Sequence, residues 1–402
     1  MSMTSRPSDT YSPLYFLASL GAGGLSVTFF MWLMHWIPHP GRTVPVFEDI
    51  AAAFAGGSML TQAMIATAMA AIAFFAFLNI RSLTWNLGRF AAWRRTEGYA
   101  KFAKTNAQSQ IMALPLALGM SVNAAFILGL VFVPGLWSVI EYLFPLAIVA
   151  FLAIGVLAFR LYGEFLGRVL TEGGFNMAAN NNFGQMLPAF AFSMIGVGLA
   201  APAALSSVQA TAGIGLILSS FFFITALTIV AVTLVLGVRS MIENGVGAET
   251  APTLMILIPL ITILGILTLR QDHGLGEHFA AHAQAADSMM MLTQMIALQV
   301  LFGLFGLFVL ARQGYAKRFL FGRENSAGSY ALVCPGVGFA VLMQFWVNKG
   351  LVGAGLLDKF SPTYWAITAV ALVSQFAMVW LVLHLNRRHF GAPRAAATVP
   401  AE

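Results

Sequence analysis

Ten apolar runs, most of them twenty residues long or more, recur along this chain, and their length decides what it can become. They lie at roughly 13–37, 57–79, 109–133, 138–162, 184–203, 211–237, 251–269, 288–311, 327–348 and 363–386. A helix needs about 20 apolar residues to cross a hydrocarbon core of about 30 Å. Of the 402 residues 59% are hydrophobic and 9% charged, and mean hydropathy is +0.82. Soluble domains carry roughly 25% charged residues, so this surface needs a bilayer as its solvent. With no water to satisfy exposed backbone, such spans form helices. The first run is too long, and too poor in flanking basic residues, for a cleaved signal peptide, so it is expected to be a span.

A second pattern overlies the first. IMALPLALGM around Pro115, FGQMLPAFAFSM around Pro188, LMILIPLITIL around Pro259 and SYALVCPGVGFAV around Pro335 each place a proline within an odd-numbered span. The spacings are 73 (188−115), 71 (259−188) and 76 (335−259), the mark of one repeated unit. The first copy, YFLASLGAGGLSVTFF, has Gly21, Gly23 and Gly24 instead. Together these predict an all-α integral membrane protein of ten helices arranged as five helical hairpins. A proline inside a helix frees the carbonyl four residues earlier, here those of Ile111, Gly184, Met255 and Ala331. Freed groups need partners in lipid. The odd helices are therefore expected to be kinked and to ring a central pore, with the even helices outside. Gly336 and Gly338 add room for close approach.

The basic residues predict orientation. Arg6, Arg81, Arg89, Arg94, Arg95, Lys101, Lys104, Arg160, Arg168, Arg239, Arg312, Lys317, Arg318, Arg323, Arg387, Arg388 and Arg394 fall on one side, 17 of 21. Arg42, Arg270, Lys349 and Lys359 fall on the other. Both termini are thus expected in the cytoplasm of a multi-pass inner-membrane protein. The +6 net charge follows from this bias and is no sign of nucleic-acid binding. Segments 1–12 and 389–402 read as a cytoplasmic tail and a disordered tail flanking a membrane domain at 13–388. Segment 84–104, with Trp85, Phe90, Trp93 and Tyr99 among basic residues, reads as a helix lying in the interface.

No Lys, Arg, Asp or Glu occupies the middle of an odd span. Proton relays and carboxylate-held sodium sites usually have one, so a passive or weakly coupled path is expected. With no acidic ring, backbone N–H groups can favour a small anion; Arg270 and Lys349, near the outer mouth, either concentrate anions there or snorkel to the interface. The pore candidates are Gly23, Pro115, Pro188, Phe190, Pro259, Cys334, Pro335 and Phe339. No organic cofactor is needed on this reading, and no nucleotide loop, carboxylate pair or Ser/His arrangement is present.

Ten spans as five hairpins, proline-bearing odd helices, PTLMILIPL in span 7 and SYALVCPGVGFAV in span 9 resemble the tellurite-resistance and dicarboxylate transporter family, that of bacterial TehA and the plant slow anion channels. The resemblance implies a homotrimer with one pore per subunit passing small inorganic or organic anions. It also implies a gating phenylalanine on the ninth helix, where this chain has Cys334; Phe190, Phe192 or Phe339 could replace it. The surroundings of Cys334 are similar to the TsoY family of membrane (seleno)proteins, which implies an alternative: a membrane thiol enzyme or sensor acting on reactive sulfur or selenium species. As the only cysteine, Cys334 has no resolving partner for disulfide catalysis. In the loop after span 7, His273, His278 and His282 with Asp272, Glu277 or Asp287 are weak metal candidates, His278 and His282 being spaced to share a helix face. Asn180–Asn182, just before span 5, read either as lining the cytoplasmic mouth or, more simply, as a helix-entry turn.

Overall fold

The computed structural model describes residues 6–281 and 284–391. Among these there is no strand, and ten helices are long and apolar enough to cross a membrane. They are α1 (Pro13–Trp36), α2 (Met59–Trp93), α3 (Asn106–Phe132), α4 (Leu136–Glu172) and α5 (Gly184–Leu205). The second half has α6 (Gln209–Asn244), α7 (Ala251–Phe279), α8 (Ala285–Arg312), α9 (Ala327–Val352) and α10 (Pro362–Phe390). The protein is an all-α, multi-pass membrane protein.

Burial separates the helices into two classes. The apolar stretches of α1, α3, α5, α7 and α9 are 61–94% buried, those of the even helices 17–39%. The odd helices close on themselves: α1 packs on α3, α3 on α5, α5 on α7, α7 on α9 and α9 on α1. Each even helix lies against the odd helix before it. The apolar faces of the even helices point outward, as at Leu146, Val149 and Val156 of α4, where lipid is the expected solvent.

The prolines act differently from the expected mid-helix kink. Each odd helix begins with a 3₁₀ segment and then turns α-helical: Pro13–Tyr15, Asn106–Met112, Gly184–Met186, Ala251–Met255 and Ala327–Leu332 are the five 3₁₀ pieces. Pro115, Pro188, Pro259 and Pro335 fall in the first turn of the α-helix that follows. There the absent N–H breaks no helical bond. The Gly184 carbonyl accepts from the Leu187 N–H within the tighter 3₁₀ turn instead. Four of these starts are set by a side chain that accepts from the backbone N–H two residues on: Ser12 from Leu14, Thr105 from Ala107, Asn182 from Gly184 and Ser326 from Gly328. Asn182 thus takes the turn role expected of it.

Polar side chains fasten the ring. Asn79 of α2 donates to the Ser19 carbonyl at 2.8 Å. Gln299 of α8 donates to the Ile258 carbonyl at 2.8 Å and to Thr262 Oγ1 at 2.7 Å, and Thr262 donates to the Gly338 carbonyl at 2.8 Å. Ser374 of α10 donates to the Gly336 carbonyl. The start of α1 and the end of α10 meet on one face, where the Tyr15 hydroxyl and His389 Nδ1 are 3.0 Å apart. We call this the terminal face.

Two further expectations change here. In the segment before α1, Pro7–Asp9 forms a 3₁₀ turn, and the Tyr11 ring packs tilted against Trp85, Phe90 and Trp93. His389 and Phe390 complete α10 and are not tail; residues 1–5 and 392–402 lie outside the described residues. The proposed interfacial helix at 84–104 is instead the end of α2, continuing to Trp93, and a short helix Glu97–Phe102. Its aromatic rings pack on protein, Trp85 on Phe390 and Trp93 on Phe102.

Candidate functional site

The ring of odd helices is hollow. A cavity of ≈ 760 Å³ opens toward the face opposite the termini, and residues of all five odd helices line it. A second, of ≈ 540 Å³, lies toward the terminal face. Phe190 of α5, Pro259 of α7 and Cys334 of α9 touch both cavities and form the partition between them. The partition arises from local sequence. Each of the three residues sits in the first turn or so after a 3₁₀-to-α junction, and repetition puts these junctions at one depth. Cys334 is 7% exposed and Phe190 3%, so the passage is narrow here.

The two cavities differ in chemistry. The one toward the terminal face is edged by the polar groups of Thr10, Ser12, Asn182, Thr253 and Ser326 and by the Glu249 carboxylate, which accepts from Ser326. The larger cavity is apolar along most of its depth, with Leu20, Val27, Phe126, Ile263, Val337 and Val341 on its walls. Its wall is not made of odd helices alone: Phe144 and Phe151 of α4 reach it too. Glycine opens that gap, since a Cβ on Gly198 would collide with the Phe151 ring.

Arg270 stands deeper than expected. The apolar run ends at 269, but α7 continues to Phe279, nine residues beyond Arg270. Its Nη1 donates to the Val197 carbonyl at 2.7 Å, and Val197 is eight residues (205−197) inside the end of α5. That is about 12 Å below the helix end at 1.5 Å per residue. The half-buried guanidinium lines the larger cavity and makes no ion pair among the described residues. It retains unpartnered donors, since a guanidinium has five N–H groups. Lys349 lines the same cavity nearer its mouth, as do Asp272, His273 and Glu277.

Of the candidate pore residues, Phe190, Pro259 and Cys334 come together, and Arg270 and Lys349 share the cavity above them. Gly23, Pro115, Pro188, Pro335 and Phe339 line neither cavity. A Cβ on Gly23 would meet Met120 and Asn79, so that glycine serves packing; Gly21 and Gly24 border the larger cavity, where a Cβ on either would meet Val333 or Val337 of α9. Phe339 packs in a cluster with Tyr315 and Phe319. Phe192 stacks 4.5 Å from Phe159, toward the outer helices. Phe190 is therefore the aromatic at the partition. Thr262, Gln299 and Ser374, which brace it, carry no sequence signal beyond being polar in an apolar run.

His273 and His278 belong to no metal-holding group among the described residues. His278 Nε2 is 2.9 Å from the Ser206 carbonyl. The helix ends at Phe279, with Ala280 at φ 53°; His282 lies outside the described residues. Asp287 caps the start of α8. Among the described residues no group of three or more His, Cys, Asp or Glu could hold a metal ion. No protein-family model matches the sequence, and no curated protein matches it. The chemistry of the site is argued from its own side chains.

Proposed function

We propose that this chain is a membrane conduit for small anions, with the path running through the ring of odd helices. The observation that carries this is Arg270: a guanidinium inside the larger cavity, with one carbonyl partner and no carboxylate. In a low-dielectric setting such a charge attracts an anion strongly. An anion would enter from the face opposite the termini, meet Lys349 and then Arg270, and pass the partition into the polar cavity. Phe190 is the larger of the two rotatable side chains of the partition, the other being Cys334, since Pro259 is held by backbone. The resemblance to the tellurite-resistance and dicarboxylate transporter family supports this reading and suggests a homotrimer. The basic bias of the terminal face supports an inner-membrane location with cytoplasmic termini.

Purified protein in liposomes tests it, with efflux measured for chloride, nitrate, sulfite and malate. Wild type is expected to pass at least one anion. Arg270→Gln should lower that flux at least tenfold, and Phe190→Ala should raise it. Wild-type vesicles no leakier than empty ones would remove the proposal.

Cys334 supports a second reading, since it touches both cavities. A thiol enzyme or sensor would lose its response in Cys334→Ala and show no flux as wild type. On the conduit reading Cys334→Ala still passes anions.

A further inference from the structure

The cavity holding Arg270 is far larger than an inorganic anion needs. At ≈ 760 Å³ it falls within the ~300–1,000 Å³ typical of sites for drug-sized organic ligands. Its polar and apolar parts are ordered by depth. Arg270, Asp272, His273, Glu277 and Lys349 lie toward the mouth; from the level of Val197 down to Phe190 the walls are mainly apolar, with the Asn123 amide, which donates to Met194 Sδ at 3.4 Å, as the polar exception. That interval is seven residues of α5 (197−190), about 10 Å. Asp272 and Glu277 make no ion pair with Arg270, so the guanidinium donors remain available to a ligand.

We infer that this cavity binds an amphipathic organic anion: a carboxylate or sulfonate whose head takes the open donors of Arg270 and whose alkyl body, of medium length, lies between Arg270 and the partition. A guanidinium pairs with two oxygens of such a head through parallel N–H bonds. The apolar body is driven in by loss of water from Val27, Phe126, Ile263, Val337 and Val341. The inference rests on the anion reading for the role of Arg270, and names the class of organic anion that the site would hold. Seated there, the ligand covers the partition from above and stops smaller anions.

The test uses the full chain in lipid nanodiscs and a homologous series of butanoate, hexanoate, octanoate and decanoate, with binding followed by calorimetry against empty nanodiscs. Affinity should rise about fourfold per methylene and level off once the tail exceeds the apolar depth. Octanol and octylamine should bind at least tenfold more weakly than octanoate. Arg270→Gln should abolish that preference, and Arg270→Lys should keep part of it. Ile263→Trp, four residues from Pro259 (263−259) and so near the partition, fills the apolar end with the charge intact and should shorten the optimal tail. Saturable binding indifferent to the head group, or no binding beyond lipid partitioning, would overturn the inference. Chloride or nitrate efflux measured without amphiphile tells the two claims apart. Flux without octanoate binding leaves the conduit standing and sinks the site. Octanoate binding without flux does the reverse.

Discussion

Gly338 sets how closely α7 and α9 approach at the partition. A Cβ there would lie 2.7 Å from Pro259 Cα, which is backbone and cannot swing aside. Gly338→Ala is expected to cost about 1–3 kcal/mol by overpacking, read as a lower melting temperature in nanodiscs; an unchanged melt would show that the seam gives. Gln299 is a second fastening, reaching from the outer ring to Ile258 and Thr262. Gln299→Leu should lose roughly 0.6–1.7 kcal/mol, the range for hydrogen bonds between membrane helices. The loss stays modest because Thr262 keeps its own donation to the Gly338 carbonyl, which ties α7 to α9 without Gln299.

At the scale of elements, the repeated unit is a junction: a 3₁₀ start, a capping side chain, then an α-helix with proline in its first turn. Because the proline displaces no helical donor there, Pro115→Ala should fold and cost less than about 1 kcal/mol, chiefly through a freer unfolded chain. A bend made by proline would instead straighten and alter flux. The opposite face has its own tie: the Glu48 carboxylate accepts from the Gly135 N–H at 2.6 Å, which holds its pKa below the ordinary 4.5. A depressed carboxylate stabilises the fold above its unfolded pKa, and that contribution fades as pH falls through the folded value. The melting-temperature gap between wild type and Glu48→Gln should thus be present at pH 7 and shrink below pH 4.5. A gap that stays constant with pH would assign it to packing.

For the whole molecule, number and placement of the spans were legible because a bilayer demands a fixed length of apolar helix. The inward set of odd helices was legible from the spacing of the prolines. Their exact use was not, since a sequence does not say whether a proline sits in the first turn of a helix or its middle. Arg270 read as a mouth residue because hydropathy falls at the first charge, whereas the helix runs on to Phe279. Phe190 and Cys334 were on the list of lining residues, but so were Pro335 and Phe339, which face elsewhere. Choosing among them requires the direction of the lumen, and at 100° per residue that is a property of the closed ring. The part played by α4 depends on the same ring, through the gap at Gly198.

The central claim is a path for anions through that ring. Reversal potential under a salt gradient tests it most directly, with the protein in a planar bilayer and potassium chloride tenfold higher on one side. A potential close to the chloride equilibrium value, moving toward zero in Arg270→Gln, is the predicted result. A potential close to that of potassium, or a bilayer that carries no current under any of the anions tried, would contradict it.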